Sequence, residues 1–328
     1  MTRTSPFTVL IVGTGGIGRR HAATVRACHA DAEFLAVRSE PSEATESLGM
    51  KLVADLETGL AANPDAAIVA LPPAMHAETA SKILAAGIPL YLEKPVATHC
   101  ADLQPAFDEA EARNIITMVG FNLRFVPGLM RVKDILDAGD LGAPRHARMS
   151  IGQWLPDWRP GRDYRETYSA KRALGGGVFY DLIHEIDLAR FFFGEFDHVD
   201  AVAGNSGALE IDSIDYADII LQRRDFSAAV HLDYLDRSAH RAGRIVCAHG
   251  TIAYDVTDGT LDIYEAATGE WRRLAGPEAF VVAEAAPAAI HHFLDCLKSG
   301  QATRQPIGEG LRSLALAELA IESGEPHP

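Results

Sequence analysis

Two side chains stand where their types and neighbours would let them do chemistry. Lys94 lies in Glu93-Lys94-Pro95, directly after a short apolar run, and His184 lies in Asp181-Leu-Ile-His184-Glu-Ile-Asp187, after Gly175-Gly-Gly177. An ammonium stabilises a developing oxyanion, and an imidazole, with an unperturbed pKa of about 6.5, moves protons near neutrality. A third fragment, Gly13-Thr14-Gly15-Gly16-Ile17-Gly18, follows an apolar run and opens a helical pattern. In that context Gly13 permits a tight turn, Gly15 lets backbone approach a pyrophosphate, and Gly18 lets helix pack on strand, while the helix N-terminus offers N–H groups to the anion. The three fragments together describe a dinucleotide held by its phosphates, with a lysine and a histidine at its reactive end. Oxidising an alcohol removes a hydride from carbon and a proton from oxygen. On this reading the cofactor takes the hydride, His184 is the acid/base and Lys94 steadies the alkoxide, while Asp181 orients the imidazole or binds a substrate hydroxyl.

Those residues need a scaffold, and the apolar pattern supplies one. Strand-like runs at 7–12, 34–37, 67–71, 90–92 and 116–119 alternate with helical stretches near 17–27, 75–86 and 101–113, with Ile17, Ala22 and Val25 available for burial on the first. Such alternation predicts a parallel, doubly wound sheet, on which ligands sit beyond the carboxyl ends of the strands. Leu71-Pro72 and Glu93-Lys94 then face the same crevice as the glycine loop, and His76 is near enough to brush the cofactor. The second strand ends in Arg38-Ser39, with no acid at its tip to grip ribose hydroxyls. A guanidinium and a hydroxyl there suit a 2′-phosphate, so NADP is preferred, with NAD the alternative through Glu40.

Beyond residue 123 the pattern changes. A helix over 128–138, a strand over 145–152, a long loop, a helix from about 177 and several closely spaced strands predict an α+β domain with an open-faced, mostly antiparallel sheet. Thr257-Asp258-Gly259-Thr260, between runs at 252–256 and 261–264, is a hairpin signal. Helices over 287–298 and 308–323 close the chain. The expected fold class is therefore α/β, with a Rossmann domain over 1–123 and a substrate and oligomerisation domain over 124–328, the last helix packing back towards the first. The stretch from Arg148 to Arg172 holds six Arg or Lys against three acids, with Trp154, Trp158, Tyr164 and Tyr168 among them. It reads as a wall where rings cover a sugar face and guanidiniums such as Arg162 meet a carboxylate or phosphate, or else as an ordered loop or oligomer contact. Arg124 is a further substrate candidate or a structural ion-pair partner.

Composition narrows the classes further. The chain of 328 residues is 48% hydrophobic and 23% charged, ordinary for a globular protein, and its formal charge of −15 argues against nucleic acid or an anionic membrane as partner. The polar stretch Met1 to Thr8 has no leader character and no twenty-residue apolar span is expected, so the protein is expected in the cytoplasm. Cys28, Cys100, Cys247 and Cys296 form no CxxC or zinc pattern. A metal site at Asp181, His184 and Asp187 is not expected, because Leu188 stands where an HExxH helix needs its second histidine.

The whole arrangement resembles the glucose-fructose oxidoreductase and inositol dehydrogenase family, Gfo/Idh/MocA. The likeness runs from the glycine loop through Glu93-Lys94-Pro95, Gly120-Phe-Asn122-Leu-Arg124-Phe125 and the GGG-D-H-D stretch to Pro306-Ile-Gly-Glu-Gly310. It implies Asn122 beside the cofactor, substrate between two domains, hydride transfer at a secondary alcohol of a sugar or sugar derivative, and a homodimer or homotetramer formed through the sheet face. The stretch from Trp154 to Arg165 is similar to members that handle sugars or nucleotide sugars. One departure stands out, since the family places its aspartate four residues before the histidine and here Asp181 precedes His184 by three, leaving Tyr180 at the matched position. On one continuous helix either spacing keeps the pair on a shared face. The resemblance leaves room for a nicotinamide-dependent glycosidase, a non-catalytic NADP sensor, or a reductase of a non-sugar carbonyl.

Overall fold

A computed structural model describes residues 6–324 apart from 39 and 41. The chain divides into two compact units, one running to Phe121 and taking in Ala286–Leu314, the other comprising Asn122–Ala285 and the chain from Ala315 onward. In the first unit the order is β1 (Thr8–Val12), α1 (Gly16–Cys28), β2 (Glu33–Val37), α2 (Glu43–Ser47), β3 (Lys51–Val53), α3 (Leu56–Ala61), β4 (Ala66–Val69), α4 (His76–Ala85), β5 (Leu90–Leu92), α5 (Cys100–Ala112) and β6 (Thr117–Val119). Among the described residues these strands form a six-stranded sheet in the order β3-β2-β1-β4-β5-β6, all neighbours parallel. The order reverses between β1 and β4, which is the switch point where doubly wound sheets bind nucleotides. Val9, Leu10 and Ile11 and all of β4 are buried, the continuous apolar signature of strands covered on both faces.

Three expectations need correction here. Ala22 and Val25 of α1 are fully buried, but Ile17 is 44% exposed, although its neighbour Gly18 in the same turn is buried. The first unit also does not end with β6. Residues 286–314 belong to it, and the reason is an edge strand in need of partners. Val119 N–H donates to the Gln305 carbonyl at 2.9 Å, and the buried Gln305 Nε2 donates to the carbonyls of Val119 at 2.6 Å and Phe121 at 3.2 Å. By length and composition the stretch Pro277–Ser299 would pass for a membrane span, contrary to the expectation that none occurs. Its Ala289, Ile290 and Phe293 are buried, and the Phe293 ring meets Tyr91 edge-on at 5.8 Å, as in a core helix.

The second unit holds α6 (Pro127–Ala138), β7 (Pro144–Gly152), α7 (Val178–Asp181), α8 (His184–Phe193), β8 (His198–Gly204), β9 (Tyr216–Arg223), β10 (Phe226–Asp233), β11 (His240–Cys247), β12 (Gly250–Asp255), β13 (Thr260–Glu265) and β14 (Glu270–Ala275). Then follow α9 (Ala285–Ser299) and α10 (Ile307–Gly324), each of which the unit boundary divides. The eight-stranded sheet runs β14-β13-β12-β11-β7-β10-β9-β8, antiparallel throughout except for β10 beside β7. Along β9 buried and exposed residues alternate, so one face is covered and the other open. The hairpin joining β12 to β13 turns at Gly259, whose φ of +66° is the left-handed region its Asp-Gly signal requires.

Candidate active site

The glycine loop is built as its spacing demands. Gly13 has φ +103°, and a Cβ there would stand 2.3 Å from the Ala70 carbonyl oxygen, while a Cβ on Gly18 would stand 1.9 Å from the Gly13 carbonyl oxygen. Neither position admits a side chain, which fixes the close approach of α1 to the ends of β1 and β4. Gly15 and Gly16 are different, because nothing lies within 4 Å of where their Cβ atoms would be. That open space lies at the N-terminus of α1, whose first turn carries no acid to compete for its unsatisfied N–H groups. Arg38 reaches across to this loop, donating from Nη1 to Thr14 Oγ1 at 3.2 Å and from Nε to the Glu40 carbonyl at 2.5 Å. Ser39 lies outside the described residues. Leu71 and Pro72 follow β4 and are half-buried, at the same carboxyl edge.

Lys94 stands next along that edge, two residues past the end of β5 and half-buried. Its neighbour Glu93 accepts from His21 Nε2 of α1 at 2.6 Å, and the His21 side chain is 1% exposed. The chain leaving β6 passes close to the carboxylate, and a Cβ on Gly120 would sit 3.0 Å from it, a tight contact. Burial pushes the Glu93 carboxyl upward, but the His21 hydrogen bond and the charges of His21, Lys94 and His76 outweigh it and hold the group below the usual carboxylate value. His76, expected to brush the cofactor, is wholly buried, with Nδ1 2.6 Å from the Pro95 carbonyl oxygen and Nε2 2.8 Å from that of Leu71. It therefore meets the crevice only through the backbone it holds. Burial lowers its pKa against the opposing pull of those two carbonyls.

In the second unit, the expected single helix through Asp181 and His184 is two helices. α7 ends at Asp181, Leu182 and Ile183 form a turn, and α8 opens at His184, so the shared-face spacing of one continuous helix does not apply. Asp181 is 3% exposed and accepts a phenol on each oxygen, Tyr168 at 2.5 Å and Tyr234 at 2.7 Å. Burial and the adjacent carboxylate raise the Tyr234 pKa well above its ordinary value, so that phenol stays a donor. His184 is half-buried at the start of a helix whose other residues are almost all buried. Glu185 accepts from Arg241 at 2.7 Å, and Asp187 accepts from Arg124 at 2.8 and 2.7 Å through a two-pronged pair. Of its two expected roles, Arg124 thus fills that of ion-pair partner. Asn122 begins the same unit in a short 3-10 turn and is half-buried.

The aromatic and basic loop is ordered by its own contacts. The Arg237 guanidinium lies 3.4 Å over the Trp154 ring, Trp158 meets Tyr234 edge-on at 5.2 Å, and the Tyr164 hydroxyl accepts from Glu210 N–H at 3.2 Å. Trp158, Arg162 and Tyr164 line one small depression, which neither Trp154 nor Arg124 joins. Sequence reasoning passed over His21 and Tyr234, and it named Tyr168 only among the rings of the loop, not as a partner of Asp181. A signal for His21 existed, because Gly18, His21, Ala22 and Val25 fall on the buried period of α1 and only one of them is ionisable. The two tyrosines lie 13 and 53 residues from Asp181, beyond any local spacing rule.

Comparison with known proteins agrees with this architecture. Residues 7–121 match the model of an oxidoreductase family with an NAD-binding Rossmann fold, and residues 129–253 match the GFO/IDH/MocA C-terminal domain. The inositol 2-dehydrogenase of Rhizobium meliloti is 27% identical over 331 residues, covering 95% of each chain. A solved levoglucosan dehydrogenase in complex with NADH and levoglucosan superposes with a TM-score of 0.86 at 19% identity, over 98% of this chain and 97% of that one. The UDP-N-acetylglucosamine 3-dehydrogenase of Acidithiobacillus ferrooxidans does so with a TM-score of 0.79 at 22% identity, over 98% of each.

Proposed function

The chain belongs to the Gfo/Idh/MocA family of oxidoreductases, and from that premise we propose that it exchanges hydride between a nicotinamide dinucleotide and a secondary alcohol or carbonyl of a sugar or sugar derivative. The observation that carries this reading is the position of Lys94 past the end of β5, on the same carboxyl edge of one sheet as the open space before Gly15. The named relatives, dehydrogenases of inositol, levoglucosan and UDP-N-acetylglucosamine, support a polyol or sugar as substrate.

The residues present fit such a cofactor. The loop from Gly13 to Gly18 holds the pyrophosphate, Ile17 presents its exposed side chain beside it, and Leu71 and Pro72 form the crevice edge. When bound, the nicotinamide accepts or returns the hydride. Lys94 stabilises negative charge developing on the substrate oxygen, and His184 takes the hydroxyl proton on oxidation and returns it on reduction. A positioned acid/base of this kind is worth about a hundred- to ten-thousand-fold, or roughly 3 to 6 kcal/mol of barrier. Asp181, with a tyrosine on each oxygen, acts by holding the end of α7 in place. The test is a panel of sugars, sugar acids and nucleotide sugars with NAD and with NADP, read at the reduced-nicotinamide absorbance; cofactor binding with no turnover across the panel counts against a sugar dehydrogenase.

Arg38 supports NADP over NAD, because its guanidinium lies beside Thr14 where the ribose end of a dinucleotide would approach. Arg38→Ala should weaken NADPH at least about ten-fold and NADH less than about three-fold, measured by reduced-nicotinamide fluorescence. Equal losses would remove the 2′-phosphate assignment. The open face of the second sheet, with Val202 66% and Ile220 37% exposed, supports a second copy as its cover. Sedimentation should find a dimer or tetramer that Ile220→Glu shifts towards monomer, and a monomeric native protein would refute it.

A further inference from the structure

The residues before and after Lys94 are each tied to a buried imidazole, and the two imidazoles come from different elements. Ahead of it, Glu93 accepts from His21 of α1 at 2.6 Å; behind it, the Pro95 carbonyl oxygen lies 2.6 Å from Nδ1 of His76, which opens α4. Both rings are at most 1% exposed. The His21 ring packs edge-on against the fully buried Tyr91 of β5 at 5.0 Å, and His76 Nε2 also lies 2.8 Å from the Leu71 carbonyl oxygen. We propose that His21 and His76 are positioning residues for the two neighbours of Lys94, His21 holding the Glu93 carboxylate from the phosphate-binding helix and His76 sitting between the carbonyls of Pro95 and, at the end of β4, Leu71.

The consequence is a mechanical link within the first unit. The helix whose N-terminus faces the glycine-loop space also carries, from its second turn, the hydrogen bond that holds the residue before the lysine. Seating a dinucleotide on that N-terminus and aiming the ammonium therefore depend on the same rigid element. A displacement of about 1 Å at a catalytic group can cost on the order of a hundred-fold, so a bond of this kind matters without touching substrate. His21 and His76 are not catalytic residues; they act through Lys94. The inference rests on the reading that Lys94 lies at the cofactor's reactive end.

The experiment uses the full chain and NADPH, repeated with NADH, and follows the rate at which trinitrobenzenesulfonate modifies Lys94, mapped by mass spectrometry. His21→Phe keeps the ring against Tyr91 and deletes the donor, while His21→Gln restores an N–H. In the native protein, saturating NADPH should slow modification of Lys94 about ten-fold; in His21→Phe that protection should fall to about two-fold or less while NADPH affinity changes less than about three-fold, and His21→Gln should recover it. A role confined to folding would lower the melting temperature and leave protection in the bound state intact, so unchanged protection in His21→Phe overturns the proposal while sparing the Lys94 reading. Absence of protection in the native protein removes Lys94 from the cofactor's reactive end, and this inference with it. Should His21→Phe not fold, Glu93→Ala breaks the same bond from the other side and is held to the same outcomes.

Discussion

Around Lys94 several charges are gathered on one sheet edge, and their balance is readable. Glu93 is driven up by burial and down by the His21 hydrogen bond and by the charges of His21, Lys94 and His76, and the second set wins, so it is an anion at neutral pH. It accompanies the lysine as a fixed counter-charge within a half-buried setting. Removing the ammonium should then cost transition-state stabilisation and little else. Lys94→Ala should lower turnover at least about a hundred-fold with cofactor affinity little changed, measured by steady-state rates and fluorescence titration. Near-native turnover would exclude Lys94 from the mechanism. Lys94 was legible in the sequence because a strand end in a doubly wound sheet is a position that topology assigns. His21 was hidden by the habit of reading only apolar residues on a helix period, and the tyrosines on Asp181 were hidden by distance along the chain.

Between elements, the second sheet carries a cross-strand device whose sign can be worked out. His231 on β10 lies opposite Asp218 on β9, with Nδ1 2.8 Å from its carboxylate and Nε2 3.0 Å from that of Asp233. The hydrogen bond to Asp233 raises the His231 pKa most, burial opposes it, and Asp218 adds to the rise, giving about 9 against an ordinary 6.5. A ring whose pKa is raised on folding adds stability fully present below 6.5 and lost as pH rises through about 9. Asp233 is held below its ordinary 3.8 by the same pair, against burial, so the contribution survives mild acid. The melting-temperature difference between the native protein and His231→Gln should be flat from about pH 5 to 6.5 and shrink towards zero by about pH 10. A gap independent of pH would show that the pair does not titrate as described. From the sequence, β9 and β10 are expected only among several closely spaced strands, and the turn between α7 and α8 is not expected, because one fewer residue between aspartate and histidine can be absorbed by a helix or break it, and local spacing cannot choose.

At the scale of the whole molecule, apolar alternation foretold the parallel sheet and its crevice, and the hairpin at Gly259 followed from its turn residues. The return of residues 286–314 to the first unit did not, because the bonds that make it are polar and distant. Thr303 Oγ1 donates to the Thr117 carbonyl at 2.6 Å and Gln305 brackets Val119, residues 186 apart in each case. Without that segment β6 presents an unpaired edge, and the Tyr91 and Phe293 rings lose one another. A fragment ending at Phe121 should therefore fail to give a soluble, cooperatively melting unit that binds NADPH. Joining it to residues 286–314 should rescue both properties, provided the linker can run back along α9, whose fifteen residues span about 22 Å. About twenty Gly and Ser residues have an r.m.s. reach of roughly 25 Å and meet that need. Circular dichroism melts and reduced-nicotinamide fluorescence on the two fragments decide the matter, since a fragment to Phe121 that folds and binds as well as the joined form would show that β6 needs no cover from Gln305.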